Sequence, residues 1–174
     1  MKFKIWKIIC VFIIFLLSLL FHYLYEIYPS FITSIFSAVN ESIWEHNKII
    51  ISPFICLAII EKIHFKNTKN VIFTEFISML YCIIITIMLF TPIYFYVLNY
   101  KHNMIITLSI FIFAIIISQL ISYNLFKSNY NKKLEYISIL AWIILLIINT
   151  LLTYYPPSFK LFYDFSKNIY GLYN

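Results

Sequence analysis

Four ionisable side chains that could do acid–base or metal chemistry stand out in an otherwise apolar chain. Glu41, Glu45 and His46 lie close together in the first third of the sequence, and Asp164, the single Asp, lies near its C-terminus. A carboxylate and an imidazole within hydrogen-bonding reach form a general acid–base pair. We therefore predict that a chemical site, if the protein has one, is built from these four residues.

The stretch around these residues also has a structural explanation. Asn40 is a favourable helix N-cap, a carboxylate at Glu41 suits the positive end of a helix, and Ser42 with Glu45 alternatively fits a capping box. Capping explains Glu45 and His46 less well than the other residues, so these two are the strongest functional candidates. If the stretch is helical, one face carries four side chains, two of them interfacial anchors: Glu41, Trp44, Glu45 and Lys48.

A divalent metal is an open alternative for this site. The same four residues, Glu41, Glu45, His46 and Asp164, offer the carboxylate and imidazole ligands that zinc accepts. Their spacing matches no established signature such as H-E-x-x-H. The sequence therefore leaves the cofactor undetermined, with a metal considered but not favoured.

The C-terminal tail, from residue 158 onward, is aromatic and amphipathic, which predicts an interfacial segment. Pro156 and Pro157 end the helix before it. Gly171, the single Gly of the chain, predicts a backbone position with positive φ. We expect the tail to fold back and bring Asp164 toward the group of Glu41, Glu45 and His46.

Composition places the whole chain in a lipid bilayer. The 174 residues are 63% hydrophobic and 11% charged, with a mean hydropathy of +0.89. A soluble domain is about one quarter charged and could not bury this much apolar surface. All basic residues are Lys in short segments between apolar runs, which argues against a nucleic-acid partner. The prediction is a single all-α, polytopic membrane domain.

Apolar runs predict five transmembrane helices. They cover about residues 5–25, 47–63, 71–91, 103–126 and 134–153. Pro53 falls inside the second run and predicts a kink. Between the first two runs, about residues 28–39 have an amphipathic period that predicts an interfacial helix. Glu75, one turn into the third run, is expected to reach the membrane interface.

The distribution of lysines predicts the orientation. With the N-terminus inside, nine lysines are cytoplasmic and four are outside. This excess agrees with the positive-inside rule, and it places the Glu41–His46 group, His22 and the tail on the outer face of a bacterial cytoplasmic membrane. The cytoplasmic set is Lys2, Lys4, Lys7, Lys62, Lys66, Lys69, Lys127, Lys132 and Lys133, and the outer set is Lys48, Lys101, Lys160 and Lys167.

Two motifs together resemble a known family. They are Val-Asn-Glu-Ser-x-Trp-Glu-His-x-Lys, from Val39 to Lys48, and Tyr-Pro-Pro…Leu-Phe…Asp…Tyr-Gly, from Tyr155 to Gly171. The pair is similar to an uncharacterised family of small bacterial membrane proteins, domain of unknown function 6512. The resemblance implies a bacterial membrane protein of this size and supplies no activity.

Three functions remain open at this stage. The leading hypothesis is an outer-face site that binds or processes a lipid headgroup or a small polar ligand, whether or not the protein is an enzyme. One alternative is a transport or channel component. The other is a non-catalytic subunit, or a homo-oligomer, that uses a stripe of small residues spaced for close helix packing: Ala114, Ser118 and Ser122.

Overall fold

A computed structural model describes residues 2–65, 70–101, 103–128 and 131–172. The fold is all-α, as predicted. Two residue pairs at the C-terminus form a small antiparallel hairpin, in which Tyr163 pairs with Tyr170 and Asp164 with Ile169. The elements are α1 (Lys2–Ile27), α2 (Phe31–Phe36), α3 (Lys48–His64), α4 (Val71–Pro92), α5 (Met104–Leu125), α6 (Lys132–Tyr154), β1 (Tyr163–Asp164) and β2 (Ile169–Tyr170).

The chain is a multi-pass membrane protein. Four helical segments are long and apolar enough to cross a bilayer: Phe3–Ile27, Val71–Val97, Met104–Leu125 and Lys132–Tyr154. They correspond to four of the five predicted spans. Dozens of large apolar side chains on these helices are exposed, which is the surface that lipid would cover.

The remaining predicted span is α3, which is shorter, with 17 residues. It packs antiparallel to α1, because Glu61 near its end contacts Lys7 near the start of α1. His46, just before α3, lies against His22 in the last part of α1. Thus α3 covers the same depth of the bundle as the part of α1 between Lys7 and His22.

Polar residues gather at the two ends of the bundle, and the apolar core lies between them. We call the end where α1 begins the Lys7 end and the opposite end the His46 end. At the Lys7 end, Lys7, Glu61, Glu75 and Ser122 join α1, α3, α4 and α5. The buried core between the ends consists of Cys10, Ile14, Ile50, Ile51, Phe54, Leu57, Met79, Cys82, Phe111, Ala114, Ile115 and Trp142.

The predicted amphipathic helix is shorter than expected. It begins after Ser30, which forms a capping box with Thr33, and it ends at Phe36. The next residue, Ser37, uses its hydroxyl to donate to the Phe21 carbonyl of α1 and to accept from the Tyr25 N–H. The Ser37 side chain thus bonds to the backbone of α1 at the point where α2 ends. Serine side chains that bond to backbone groups favour the end of a helix over its continuation.

Two prolines lie inside helices. Pro53 is buried in α3, where it cannot donate to the carbonyl four residues earlier; the kink itself stays a prediction. The third apolar run ends just before Pro92, and α4 ends at that residue. The chain continues through a π-helical turn, Ile93–Val97, which closes with a 2.9 Å bond from the Leu98 N–H to the Ile93 carbonyl.

The small residues of α5 are used inside the chain. Ala114, Ser118 and Ser122 are fully buried, and the Ser122 hydroxyl donates to Glu75 of α4. The close approach that their spacing favours is therefore with a neighbouring helix of the same molecule. No exposed surface is left at these three residues for the partner contact considered from the sequence.

The sequence predicts that Glu75 reaches the membrane interface, and the structure shows that it does not. Its side chain is fully buried and accepts a 2.7 Å hydrogen bond from Lys7 Nζ. Pairing with a buried ammonium keeps the carboxylate inside the bundle, because an opposite charge compensates for lost hydration. The Lys7 end is thus a polar cluster inside the fold.

Candidate functional site at the His46 end

The segment before α3 is a series of turns, which corrects the predicted single helix face. Asn40 Oδ1 accepts from the Ser42 N–H at 2.9 Å, and Ser42 Oγ accepts from the Glu45 N–H at 3.3 Å. A short 3₁₀ turn, Glu45–Asn47, then leads into the α-helix. Asn and Ser side chains that bond to the nearby backbone favour turns over a helix, so Glu41 and Glu45 enter different environments.

Glu45 forms a buried ion pair with Lys48. Lys48 Nζ donates to Glu45 Oε2 at 2.8 Å, to the Ser34 carbonyl at 2.7 Å and to Thr153 Oγ1 at 2.5 Å. Glu45 Oε2 also accepts from the Val39 N–H, and Glu45 Oε1 from the Thr153 hydroxyl. Both side chains are buried, and every hydrogen-bonding atom of the two charged groups has a partner. The pair therefore fastens α2 and α6 to the start of α3.

A second group, formed by Glu41 and two histidines, is open to solvent. Glu41 Oε1 lies 3.8 Å from His22 Nε2, and Glu41 Oε2 lies 3.5 Å from His46 Nε2. The side chains of Glu41, His46 and His22 are 43%, 27% and 24% exposed. We call these three residues the His–Glu–His site. It lies where the loop before α3 crosses the last part of α1.

The backbone fixes which nitrogen of His46 faces the carboxylate. His46 Nδ1 lies 2.8 Å from the Ser42 carbonyl oxygen, which only accepts hydrogen bonds, so Nδ1 carries a proton. In the neutral imidazole, Nε2 then presents a lone pair toward Glu41 Oε2. Two acceptors facing each other need a proton or a metal cation between them, so the site is suited to hold a cation.

The His–Glu–His site fits a divalent metal by ligand type and by spacing. The three ligand atoms all lie within 4.8 Å of one another. Tetrahedral zinc with bonds of about 2.0–2.1 Å places its ligand atoms about 3.3 Å apart, so a small contraction brings these atoms into range. A metal-bound His usually donates its other N–H to a carbonyl or carboxylate, as His46 does to Ser42. Two His and one carboxylate leave a fourth position open for a ligand.

The predicted site residues are thus divided. Glu41 and His46 belong to the His–Glu–His site. Glu45 bonds to Lys48, and Asp164 bonds to backbone N–H groups and to the Ser166 hydroxyl. His22 joins Glu41 and His46, although the sequence treats it only as an interfacial residue of the same face. The sequence signal for His22 is its position near the end of the first apolar run. The lysine distribution places that end on the same membrane face as Glu41 and His46.

The tail folds back onto this end, as predicted. Asp164 Oδ2 accepts from the Glu41 N–H at 3.0 Å, and Asp164 Oδ1 accepts from the backbone and hydroxyl of Ser166. Asn40 Nδ2 donates to the Gly171 carbonyl at 2.7 Å. Gly171 has a φ of +68°, which confirms the predicted positive φ. Asp164 therefore holds the backbone of Glu41, while the carboxylate of Glu41 lies beside the two histidines.

Aromatic contacts complete the junction between loop and tail. The backbone N–H of Trp44 donates to the Leu161 carbonyl at 2.9 Å, and the Trp44 ring stacks on Phe162 with centroids 4.8 Å apart. Exposed Lys160 donates to the Tyr100 hydroxyl at 2.8 Å, a bond that raises the pKa of Lys160. The two sequence motifs are thus the two halves of one folded unit.

The sequence model of the family of unknown function DUF6512 matches residues 1–172. The chain belongs to this family. The match includes both motifs, the His–Glu–His site and the polar cluster at the Lys7 end. No curated protein and no solved structure matches the chain.

Proposed function

We propose that this member of the DUF6512 family binds a divalent metal ion at His22, Glu41 and His46, and through it a lipid headgroup or a small polar ligand. The site lies at the outer face of a bacterial cytoplasmic membrane. The observation that carries the proposal is the convergence of two imidazole Nε2 atoms on one carboxylate. Because His46 Nδ1 is bonded to the Ser42 carbonyl, its Nε2 lone pair faces the Glu41 carboxylate, and a cation between the two would compensate for their repulsion.

The depth of the site favours a ligand from the membrane surface. His22 lies five residues before the end of α1 at Ile27, which is about 7.5 Å along a helix. On the same end, Phe31 and Ile32 of α2 are exposed and suit contact with acyl chains. A metal with an open position at this depth can take a phosphate or carboxylate oxygen of a headgroup.

Zinc binding is the first test. Replacement of His22 or His46 by Ala removes one ligand, and Glu41→Gln removes the charged one. Changes outside the ligand shell typically cost 10–100-fold in metal affinity, so each ligand change is expected to cost at least about 100-fold. Affinity should also fall as the pH is lowered, because the imidazoles must be deprotonated to bind. Calorimetric titration of the purified protein with Zn²⁺ measures both effects.

His64→Ala is the matched control for the zinc titration. His64 lies at the Lys7 end, where its ring stacks on Trp6 with centroids 5.0 Å apart. We expect this variant to bind zinc like the unaltered protein. Equal zinc affinity in all four variants would show that the metal binds elsewhere and would remove the proposed function.

Headgroup binding is tested separately with two soluble probes, sn-glycerol 3-phosphate and phosphoethanolamine. With zinc present, we expect them to raise the melting temperature of the protein, because a ligand that binds only the folded state stabilises it. The shift should vanish with EDTA and in His46→Ala. Zinc binding without any effect of either probe would retain the metal and exclude the phosphate-bearing headgroup.

The proposed orientation rests on the lysine distribution. Lys7 and Lys48 are buried in ion pairs. One of them belongs to the cytoplasmic set and the other to the outer set, so leaving both out does not change the excess of lysines on the cytoplasmic side. In a variant without native Cys, Lys167→Cys should react with an impermeant maleimide on intact cells, and Lys127→Cys only after permeabilisation. Both positions are exposed. The reverse labelling pattern would place the His–Glu–His site in the cytoplasm.

Transport is the second candidate function, and one observation favours it. The cluster of Lys7, Glu61 and Glu75 puts three ionisable side chains inside the bundle, and such groups are typical of ion and proton pathways. A partner-subunit function loses its main support, because Ala114, Ser118 and Ser122 are buried in the chain itself.

A further inference from the structure

The polar cluster at the Lys7 end contains one cation and two carboxyl groups. Lys7 Nζ donates to Oε1 of Glu61 and, at 2.7 Å, to Oε1 of Glu75. Trp6 Nε1 donates to the same Glu61 oxygen at 2.8 Å, and Ser122 donates to the same Glu75 oxygen. Both carboxyl groups are fully buried. Four helices, α1, α3, α4 and α5, thus meet at one charged centre.

The other oxygen of each carboxyl group is not satisfied. Glu61 Oε2 and Glu75 Oε2 are buried, and neither has a hydrogen-bond partner among the described residues. An orphaned buried acceptor costs about 1–3 kcal/mol, and more when it is charged. A proton on one carboxyl group removes its charge and so lowers the cost of leaving its second oxygen without a donor.

The charge balance leads to the same conclusion. With both carboxyl groups ionised, the cluster would carry a net charge of −1 inside the bundle, and an uncompensated buried charge is neutralised by proton uptake. The Glu45–Lys48 pair at the other end is the contrast, because one ammonium meets one carboxylate and all its oxygens have donors. Of these two buried clusters, the Lys7 end is therefore the one with more carboxyl groups than cations.

We propose that Glu61 and Glu75 form an intramembrane proton-binding site that holds one proton at neutral pH beside the ammonium of Lys7. This site is independent of the function proposed for the His–Glu–His site. The ligand is a proton and not a metal ion, because Lys7 already lies between the two Oε1 atoms and repels a second cation. Release of the proton leaves a buried negative charge at the junction of four helices.

Several other titratable groups lie near the pair in the described part of the chain. From α3, His64 follows Glu61 by three residues, and its ring stacks on Trp6, whose indole N–H donates to Glu61. From α1, Cys10 Sγ lies 3.6 Å from Glu61 Oε1. From α6, Glu135 accepts from the N–H groups of Ile72 and Phe73 at the start of α4. From α5, the contact is the Ser122 hydroxyl. In the described part of the chain, Lys7 is the cation that bonds to both carboxyl groups, so we assign the proton balance to Lys7, Glu61 and Glu75.

Infrared spectroscopy of the purified protein tests the proposal, because a protonated carboxyl has its own carbonyl stretch. At pH 7 we expect this band in the unaltered protein. Both Glu61→Gln and Glu75→Gln should abolish it, since the remaining carboxylate then pairs one-to-one with Lys7. Lys7→Met should about double it, because both carboxyl groups must then be neutral. Exposed Glu26→Gln is the control and should leave the band unchanged.

Thermal melting gives a second measurement that does not depend on the Lys7 variant folding. The folded protein holds a proton that the unfolded chain releases above the ordinary pKa of Glu, about 4.3. Stability should therefore fall as the pH rises above that value, until the folded protein has also lost the proton. In Glu61→Gln and Glu75→Gln this dependence should disappear. A missing band at pH 7 in the unaltered protein, or a band that persists in both Gln variants, would overturn the proposal.

Discussion

Glu45→Gln and Lys48→Met are each expected to destabilise the protein by about 3–5 kcal/mol, because removal of one partner leaves the other charge buried and unpaired. Both side chains are buried, and Lys48 also bonds to Ser34 and Thr153. Loss of either charge should therefore loosen α2 and α6 from the start of α3. Thermal or denaturant unfolding in detergent measures the loss.

The double variant Glu45→Gln/Lys48→Met shows whether the charges act as a pair. It leaves no unpaired ion, and the Gln oxygen can still accept from Val39 or Thr153, so its loss of stability should be smaller than the sum of the two single losses. We expect the folded double variant to bind zinc normally at the His–Glu–His site. Normal stability but no zinc binding would instead assign Glu45 to the functional site, as the sequence predicted.

Gly171→Ala is expected to detach the tail from the loop before α3. A Cβ at Gly171 would lie 2.9 Å from the Thr153 carbonyl oxygen and 3.2 Å from Pro156 Cγ. The positive φ alone costs an L-residue about 1–2 kcal/mol, and the carbonyl is backbone that cannot move freely. The contact from Asn40 to the Gly171 carbonyl should be lost with it. Unfolding temperature and limited proteolysis of the tail report the effect.

Asn168→Gly is the matched control for this substitution. Asn168 lies in the same hairpin and also has a positive φ, +58°. Glycine relieves the strain at that position and loses only a 3.4 Å contact with the Tyr163 hydroxyl, so the change in stability should be small. If Gly171→Ala were as well tolerated as Asn168→Gly, the close contact at Gly171 would not contribute to holding the tail.

The elements could be predicted because their signals are local. Long apolar runs bounded by lysines, asparagines and prolines correspond to α1, α4, α5 and α6 within a few residues. The single Gly gave its positive φ from residue type alone. The failures occurred where a side chain bonds across the structure, as Ser37 does to α1, since no local pattern records a partner that is distant in sequence.

The candidate site could be predicted only in part for the same reason. Residue types drew attention to Glu41, Glu45, His46 and Asp164, but a helical spacing placed Glu41 and Glu45 together. The structure separates them, because Asn40 and Ser42 turn the chain before α3 begins. Which carboxylate remains available then depends on Lys48, which binds Glu45 and leaves Glu41 to the histidines.

The sequence by itself determined the membrane class, the helices and the residues with chemical potential, because composition and periodicity are properties of the chain. Tertiary structure alone decided how those residues are grouped. The His–Glu–His site and the Lys7 cluster arise from contacts between segments distant in sequence. The Glu45–Lys48 pair is local, but its other partners, Ser34 and Thr153, come from α2 and α6. In a bundle largely surrounded by lipid, buried charges must find their partners within the protein, and the packing of the helices determines those partners.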